Sequence, residues 1–378
     1  MNARFFDAIS KYVSECWNCE EPINLQKWIE SNSIQFDDFD LNGITEVHCT
    51  QIQLGLQQYI SNKKKIRSKE LKQLLKNIGI SELYKPDSDY TSDEHYIAQM
   101  YLKRFAKQDS DSKAFIWQYC LETMSHCPVD CAVNINNICC ENDLYELKDN
   151  NNNYIDRNSI ENLLSEYESV FSNLFDKIEE KARNANKTLF NCLDYQEQGL
   201  LKTYLILQIL RFPFTINQAQ EILIANPALS LDSNEARNIA LKYCLEAYIS
   251  DTIDESNIYF RIFDWFSDKS IIIGKCDEEV IFTGDRPIYL QKDNKNGVIK
   301  VIFPISSNLI LYMCPQTQQR KWNSCLMKLN NEHVEKVQLA IAFIAKKWIY
   351  SKHELSKSQI SIIKEAMERK NANVSPTY

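Results

Sequence analysis

Seven glycines in 378 residues, at positions 43, 55, 79, 199, 274, 284 and 297, are too few and too far apart for a fold organised around a phosphate-cradling loop. Such loops, G-x-G-x-x-G or the P-loop, need glycines at fixed short spacing because the backbone approaches phosphate where a Cβ would clash. No two glycines here come close to that spacing, so dinucleotide-binding and Walker-type functions are not expected. None of the five histidines forms H-E-x-x-H and no serine sits in G-x-S-x-G. The zincin and α/β-hydrolase solutions are set aside on the same footing.

The chain is long enough for a large core and for two or three domains. Apolar residues at 44% and charged residues at 25% are those of an ordinary globular protein. A net charge of −8 supplies no global field to draw nucleic acid or an anionic membrane, so either would need a local basic patch. The first residues reach Asp7 and Glu15 too soon for a signal peptide. No apolar run reaches the roughly 18 residues of a membrane span. A cytoplasmic protein without membrane contact is expected.

Hydrophobic periodicity sorts the rest. Residues 1–88 read as short amphipathic helices, marked by Leu25, Trp28 and Ile29, by Ile52, Leu56 and Tyr59, and by Leu71, Leu74 and Ile78. They form one region, a candidate surface for a protein partner, and Lys85-Pro86-Asp87 begins the linker to a second domain over 89–378. In that domain, helical spacing covers 95–106 and a strand follows at Ala114–Cys120. A long helix starts near Asn158 with a broad apolar face through Leu164, Phe171 and Phe175. Others run over Tyr195–Arg211, stopping before Pro213, and Glu235–Ser250. Strands are expected at Asn257–Phe263, Ser270–Ile273, Val280–Thr283, Val298–Phe303 and Leu309–Met313, with a hairpin turn at Asn294–Gly297. Helices at about 331–351 and 356–370 close the chain. Long helices plus one segregated, mainly antiparallel sheet make the fold class α+β.

Thirteen cysteines without an export signal should be mostly reduced thiols. Cys16-x-x-Cys19 and the group Cys120, His126, Cys127, Cys131, Cys139 and Cys140 lack the second regular pair that a tetrahedral zinc site needs, so zinc is not expected.

Two separated segments, His95-Tyr96-Ile97-Ala98-Gln99-Met100-Tyr101-Leu102-Lys103-Arg104-Phe105-Ala106 and Phe282-Thr283-Gly284-Asp285-Arg286-Pro287-Ile288, resemble the opening and closing signatures of a bacterial family known only as domain of unknown function 4238. The resemblance runs from His95 to about Lys352. Between its ends, Ile160–Glu168 is similar to the family's double-glutamate segment and Gln208–Pro213 to the helix end that carries an arginine and a proline. Ala98 and Gly284 stand where the family pattern has proline and serine, so no serine role carries over to 284. The family's association with mobile, defence-related genes implies an antiviral role and a toxin-like nuclease effector.

The residues support a candidate site in their own right. Glu161, Leu164, Glu168, Phe171 and Phe175 share one stripe of a helix, which brings both carboxylates to the edge of its buried face. Tyr204, Gln208 and Arg211 share one side of a helix that is apolar almost all round, and a buried arginine requires a carboxylate partner. Glu161, Glu168 and Asp285 are the natural suppliers. A structural ion-pair network accounts for this set. The sharper reading, and the function expected, is a hydrolase, nuclease-like, acting on a nucleic acid or nucleotide: His95 as acid/base, Arg211 as anion clamp, and Glu161, Glu168 and Asp285 as orienting groups or ligands of a divalent metal such as magnesium or manganese. Gln99, Gln208 and Thr283 complete it as ligand-orienting groups. A third reading is a non-catalytic sensor or interaction module that binds an anionic ligand or partner.

Overall fold

The structure, a computed structural model, describes residues 93–376 apart from 129–130, 151, 153, 156–157, 251–255, 294–296 and 317–321. The helices expected before residue 88, the Cys16–Cys19 pair and the Asn294–Asn296 part of the turn lie outside the described residues. Asp93–Leu144 and Ile160–Tyr378 form one compact unit, and Tyr145–Ser159 belongs to a separate one. Within that short segment Glu146 Oε1 accepts hydrogen bonds from the Asn158 amide at 2.8 Å and Asn158 Nδ2 at 2.9 Å.

The main unit is α+β. It opens with β1 (Asp93–His95), α1 (Gln99–Leu102) and a 3-10 turn (Lys103–Phe105). The continuous helix expected over 95–106 is thus replaced by a strand end and two short turns. Next come β2 (Lys107–Gln108), β3 (Ala114–Cys120), β4 (Ser125–His126), β5 (Val133–Asn134) and β6 (Cys140–Asn142).

Helix α2 (Ser159–Asn184) buries Leu164, Phe171, Leu174, Phe175 and Ile178, and its last turn carries Lys181 and Arg183, which complement the negative end of the helix dipole. After β7 (Leu189–Phe190), α3 (Tyr195–Leu210) starts at a capping box formed by Asp194 and Glu197. Pro213 ends α3 as expected, but it also opens α4 (Pro213–Ile224), a first-turn position where proline's missing N–H has no partner to lose. Helix α5 (Ser233–Ile249) has its own capping box, Asp232 with Glu235.

Residues 257–263, expected as a strand, instead form most of α6 (Ile258–Ser267). The Asn257 side chain accepts from the Tyr259 amide at 2.8 Å and so caps a helix, and Ile262 and Phe266 are buried one turn apart. Their aromatic and β-branched content had favoured a strand, but the cap and the helical spacing prevail.

The remaining elements are β8 (Lys269–Lys275), β9 (Thr283–Gly284), β10 (Tyr289–Asp293), β11 (Gly297–Ser306), β12 (Leu309–Pro315), β13 (Ser324–Lys328), α7 (Asn331–Ile344), β14 (Trp348–Ser351) and α8 (Lys357–Asn371). The expected single sheet is three among the described residues. One runs β10-β11-β12-β8-β13-β7, antiparallel except where β13 lies parallel to β8. A second places β14 between β3 and β9, and β1 pairs with β6 in a third. Residues 348–351, expected as the end of a helix, are the strand β14, paired antiparallel with both β3 and β9.

An aromatic cluster joins these layers. In the opening turns Tyr101 meets Phe105 and stacks on Phe303 of β11, which packs with Phe175 of α2 and Tyr204 of α3, at centroid distances of 4.9 to 6.3 Å across the cluster. Each of these rings is fully buried, contributing about 1.5–3 kcal/mol apiece. The cluster fixes the segment after His95 against α2, α3 and β11.

Candidate functional site

The last turn of α3 grips the chain at the entrance to α1. Gln208 and Arg211, three residues apart on one face, are both buried. Gln208 Nε2 donates to the Tyr96 carbonyl at 2.6 Å, and Arg211 Nη2 donates to the His95 carbonyl. Arg211, only 1% exposed, also donates through Nη1 to Glu168 Oε1 at 2.6 Å, and the Glu168 side chain retains 20% exposure. Tyr204 donates to Gln208 Oε1 at 3.4 Å. Gln99 Nε2 lies 3.4 Å from His95 Nε2. His95, Gln99, Glu168, Gln208 and Arg211 therefore converge. Glu161, two turns before Glu168 on α2, is half-buried, and it is Glu168 that forms the ion pair just described with Arg211.

Burial is the main cause that lowers the His95 pKa below its ordinary value. The Arg211 charge adds to this, while Glu168 and backbone hydrogen bonds at Ile135 and Asn136 oppose it. The imidazole is accordingly neutral at neutral pH, and able to accept a proton.

Asp285 and Thr283 are engaged differently. Asp285 Oδ1 accepts from the Lys346 amide at 2.7 Å, and Oδ2 accepts from the Lys347 and Trp348 amides at 2.7 and 3.1 Å. These are the amides released as the chain leaves α7, so the carboxylate turns the backbone into β14. Burial raises the Asp285 pKa above the usual carboxylate range, while the three amides and Arg286 pull it down. Thr283 Oγ1 and the Tyr101 hydroxyl share a buried hydrogen bond of 2.7 Å. At Gly284, where the family pattern has serine, an added Cβ would sit 3.2 Å from Ala345 Cβ and 3.3 Å from the Trp348 carbonyl oxygen.

The two groups adjoin through aromatic contacts. Tyr96 meets Phe212 edge-on at 5.3 Å, and the Arg286 guanidinium lies over Phe212 and Phe214 at 5.6 and 4.8 Å. Beside Asp285, the Cys139 thiol is enclosed by Tyr96 and Tyr350, and burial pushes it up to about 12. Such a thiol is too weakly acidic to serve as a nucleophile. All ten described cysteines are free. Among the described residues no group of three or more histidine, cysteine, aspartate and glutamate side chains is arranged to hold a metal ion.

The sequence reading missed a cavity of about 600 Å³. Its walls are α1 and the turn after it (Met100, Lys103, Arg104), the C-terminal half of α2 (Asp176, Glu179, Arg183), the β11–β12 turn (Ser306–Asn308), Lys275 and Lys352. Arg104 is its centrepiece: 8% exposed, it donates to Asp176 at 2.8 Å and to the Ser172 carbonyl at 3.1 Å, and pairs with Glu179 at 2.8 Å. None of the residues expected for the site lines this cavity. Arg104 lies inside the His95 segment, yet its spacing gave no sign of partners 68 and 72 residues away.

Fold and site together define an α+β protein whose buried arginine clamp holds one strand-to-turn segment beside a polar cavity. The chain belongs to the family described as Protein of unknown function (DUF4238), which matches residues 94–354. No curated protein and no solved structure matches it. No helix among the described residues is long and apolar enough to cross a membrane.

Proposed function

We propose that this chain is a binding module for a small anionic molecule, acting in the cytoplasm, with the ligand held in the Arg104 cavity. The observation that carries this reading is the lining: five basic side chains, Lys103, Arg104, Arg183, Lys275 and Lys352, against three acidic ones, Asp176, Glu179 and Glu279. A volume of about 600 Å³ is in the range of small-molecule sites. The Arg211 clamp then has a positioning role, because the segment it holds by the His95 and Tyr96 carbonyls continues into Lys103 and Arg104. Thermal denaturation of the full chain against a panel of anionic metabolites tests the idea. A ligand at a hundred times its Kd adds about 2.7 kcal/mol to stability. Stabilisation is expected in the wild type and not in the Lys103→Ala/Arg183→Ala variant. No stabilisation by any anion, or equal stabilisation of both proteins, refutes the reading.

The nuclease-like reading, with its place in bacterial antiviral defence, has one observation in its favour. A neutral His95 lies beside the partly exposed Glu168, through the Arg211 that both contact, and a neutral imidazole is the form a general base requires. Turnover of RNA, DNA or nucleotides, with and without magnesium or manganese, that disappears in Glu168→Gln and His95→Gln would establish it. Equal activity in wild type and variants would remove it.

A further inference from the structure

We propose that the ligand of the Arg104 cavity is a phosphate monoester of a polyhydroxylated small molecule, such as a sugar phosphate; this rests on the anion-binding reading above. The charge arrangement asks for a dianionic group at one end. Arg104 is already matched by Asp176 and Glu179, and Lys352 by Glu279. Lys275 donates to the Ala182 carbonyl at 2.7 Å, at the C-terminal end of α2, and forms no ion pair among the described residues. Lys103 and Arg183 are exposed and form no ion pair among the described residues. Three cations are thereby left for a ligand, and a phosphate monoester carries about −1.5 to −2 at neutral pH.

The rest of the lining selects the body that carries the phosphate. Asp176 and Glu179 would repel a ligand that is anionic along its whole length, but they accept hydrogen bonds from hydroxyl groups. Ser172, Ser306, Ser307 and Asn308 supply further donors and acceptors around the same space. Among the described residues no aromatic side chain lines the cavity, so a nucleobase would find no ring there on which to stack. A hydroxyl-rich body satisfies these groups, and a planar apolar one does not.

Calorimetric titration of the full chain with ribose 5-phosphate, ribose, inorganic phosphate, adenosine monophosphate and succinate decides the matter. Ribose 5-phosphate is expected to bind at least tenfold tighter than inorganic phosphate or succinate and no more weakly than the nucleotide, with ribose silent. Lys103→Ala/Arg183→Ala, whose side chains are exposed, should lower its affinity at least tenfold without changing the melting temperature of the unliganded protein. Lys275→Met should lower that affinity as well. Succinate binding as tightly as ribose 5-phosphate would overturn the phosphate assignment while leaving anion binding intact. Tighter binding of the nucleotide would overturn the hydroxyl-rich body. Affinity unchanged in the Lys103→Ala/Arg183→Ala variant would overturn the location, and silence from every probe would overturn both the ligand class and the anion-binding reading.

Discussion

Replacing Asp285 by asparagine separates a carboxylate that does chemistry from one that holds a backbone turn. In the native fold its two oxygens accept three amides, from Lys346, Lys347 and Trp348 at 2.7, 2.7 and 3.1 Å. Asparagine keeps one oxygen. In its better orientation it retains the pair from Lys347 and Trp348 and turns an NH2 group towards the Lys346 amide, donor against donor. One charge-assisted bond is lost, about 1.5–3 kcal/mol, and the other two weaken to neutral bonds of about 0.5–1.5 kcal/mol each. Against this, burial disfavours the Asp285 charge, as its raised pKa shows, and the neutral side chain is relieved of that cost. The balance is a loss of about 2–3 kcal/mol, or roughly 5–10 °C in Tm for a unit of this size. Urea denaturation should show this loss, and amide exchange should accelerate at Lys346–Trp348 and along β14, which pairs with both β3 and β9. A loss below about 0.5 kcal/mol, the scale of an ordinary surface change, would refute the structural role.

Two further predictions concern the clamp. Arg211→Met leaves the Glu168 carboxylate and the His95 carbonyl without this donor; breaking a buried pair costs about 3–5 kcal/mol, and the 20% exposure of Glu168 places the loss near the lower end. Urea denaturation of a double-mutant cycle with Glu168→Gln should recover part of it, and strict additivity would show that the pair is not coupled. Because the His95 pKa is lowered on folding, the unfolded chain binds more protons between that folded value and about 6.5. The His95 contribution to stability is thus full above that window and is lost as the pH falls through it. Denaturation between pH 7.5 and 5.0 should show a slope that His95→Gln flattens; an unchanged slope would assign the titration elsewhere.

By itself the sequence determined the α+β class, the long helices and the strands at 114–120, 270–273, 298–303 and 309–313. These features are written in local periodicity and helix breakers: the stripe through Leu164, Phe171 and Phe175, and Pro213 after Arg211. It also required a carboxylate for Arg211, because burial of an unpaired guanidinium is too costly. Tertiary structure decided which one. Glu168 meets Arg211, while Asp285, equally plausible by charge, is turned to the amides of Lys346, Lys347 and Trp348 by its place at the end of β9. That same turn converts residues 348–351 from the tail of a helix into β14, a choice made by pairing partners more than 60 and 200 residues away. The Arg104 cavity is likewise a tertiary product. Its charges come from segments around 104, 176, 275, 307 and 352, and no local pattern can report that they surround one space, because their proximity arises only when β8, β11 and α2 pack together.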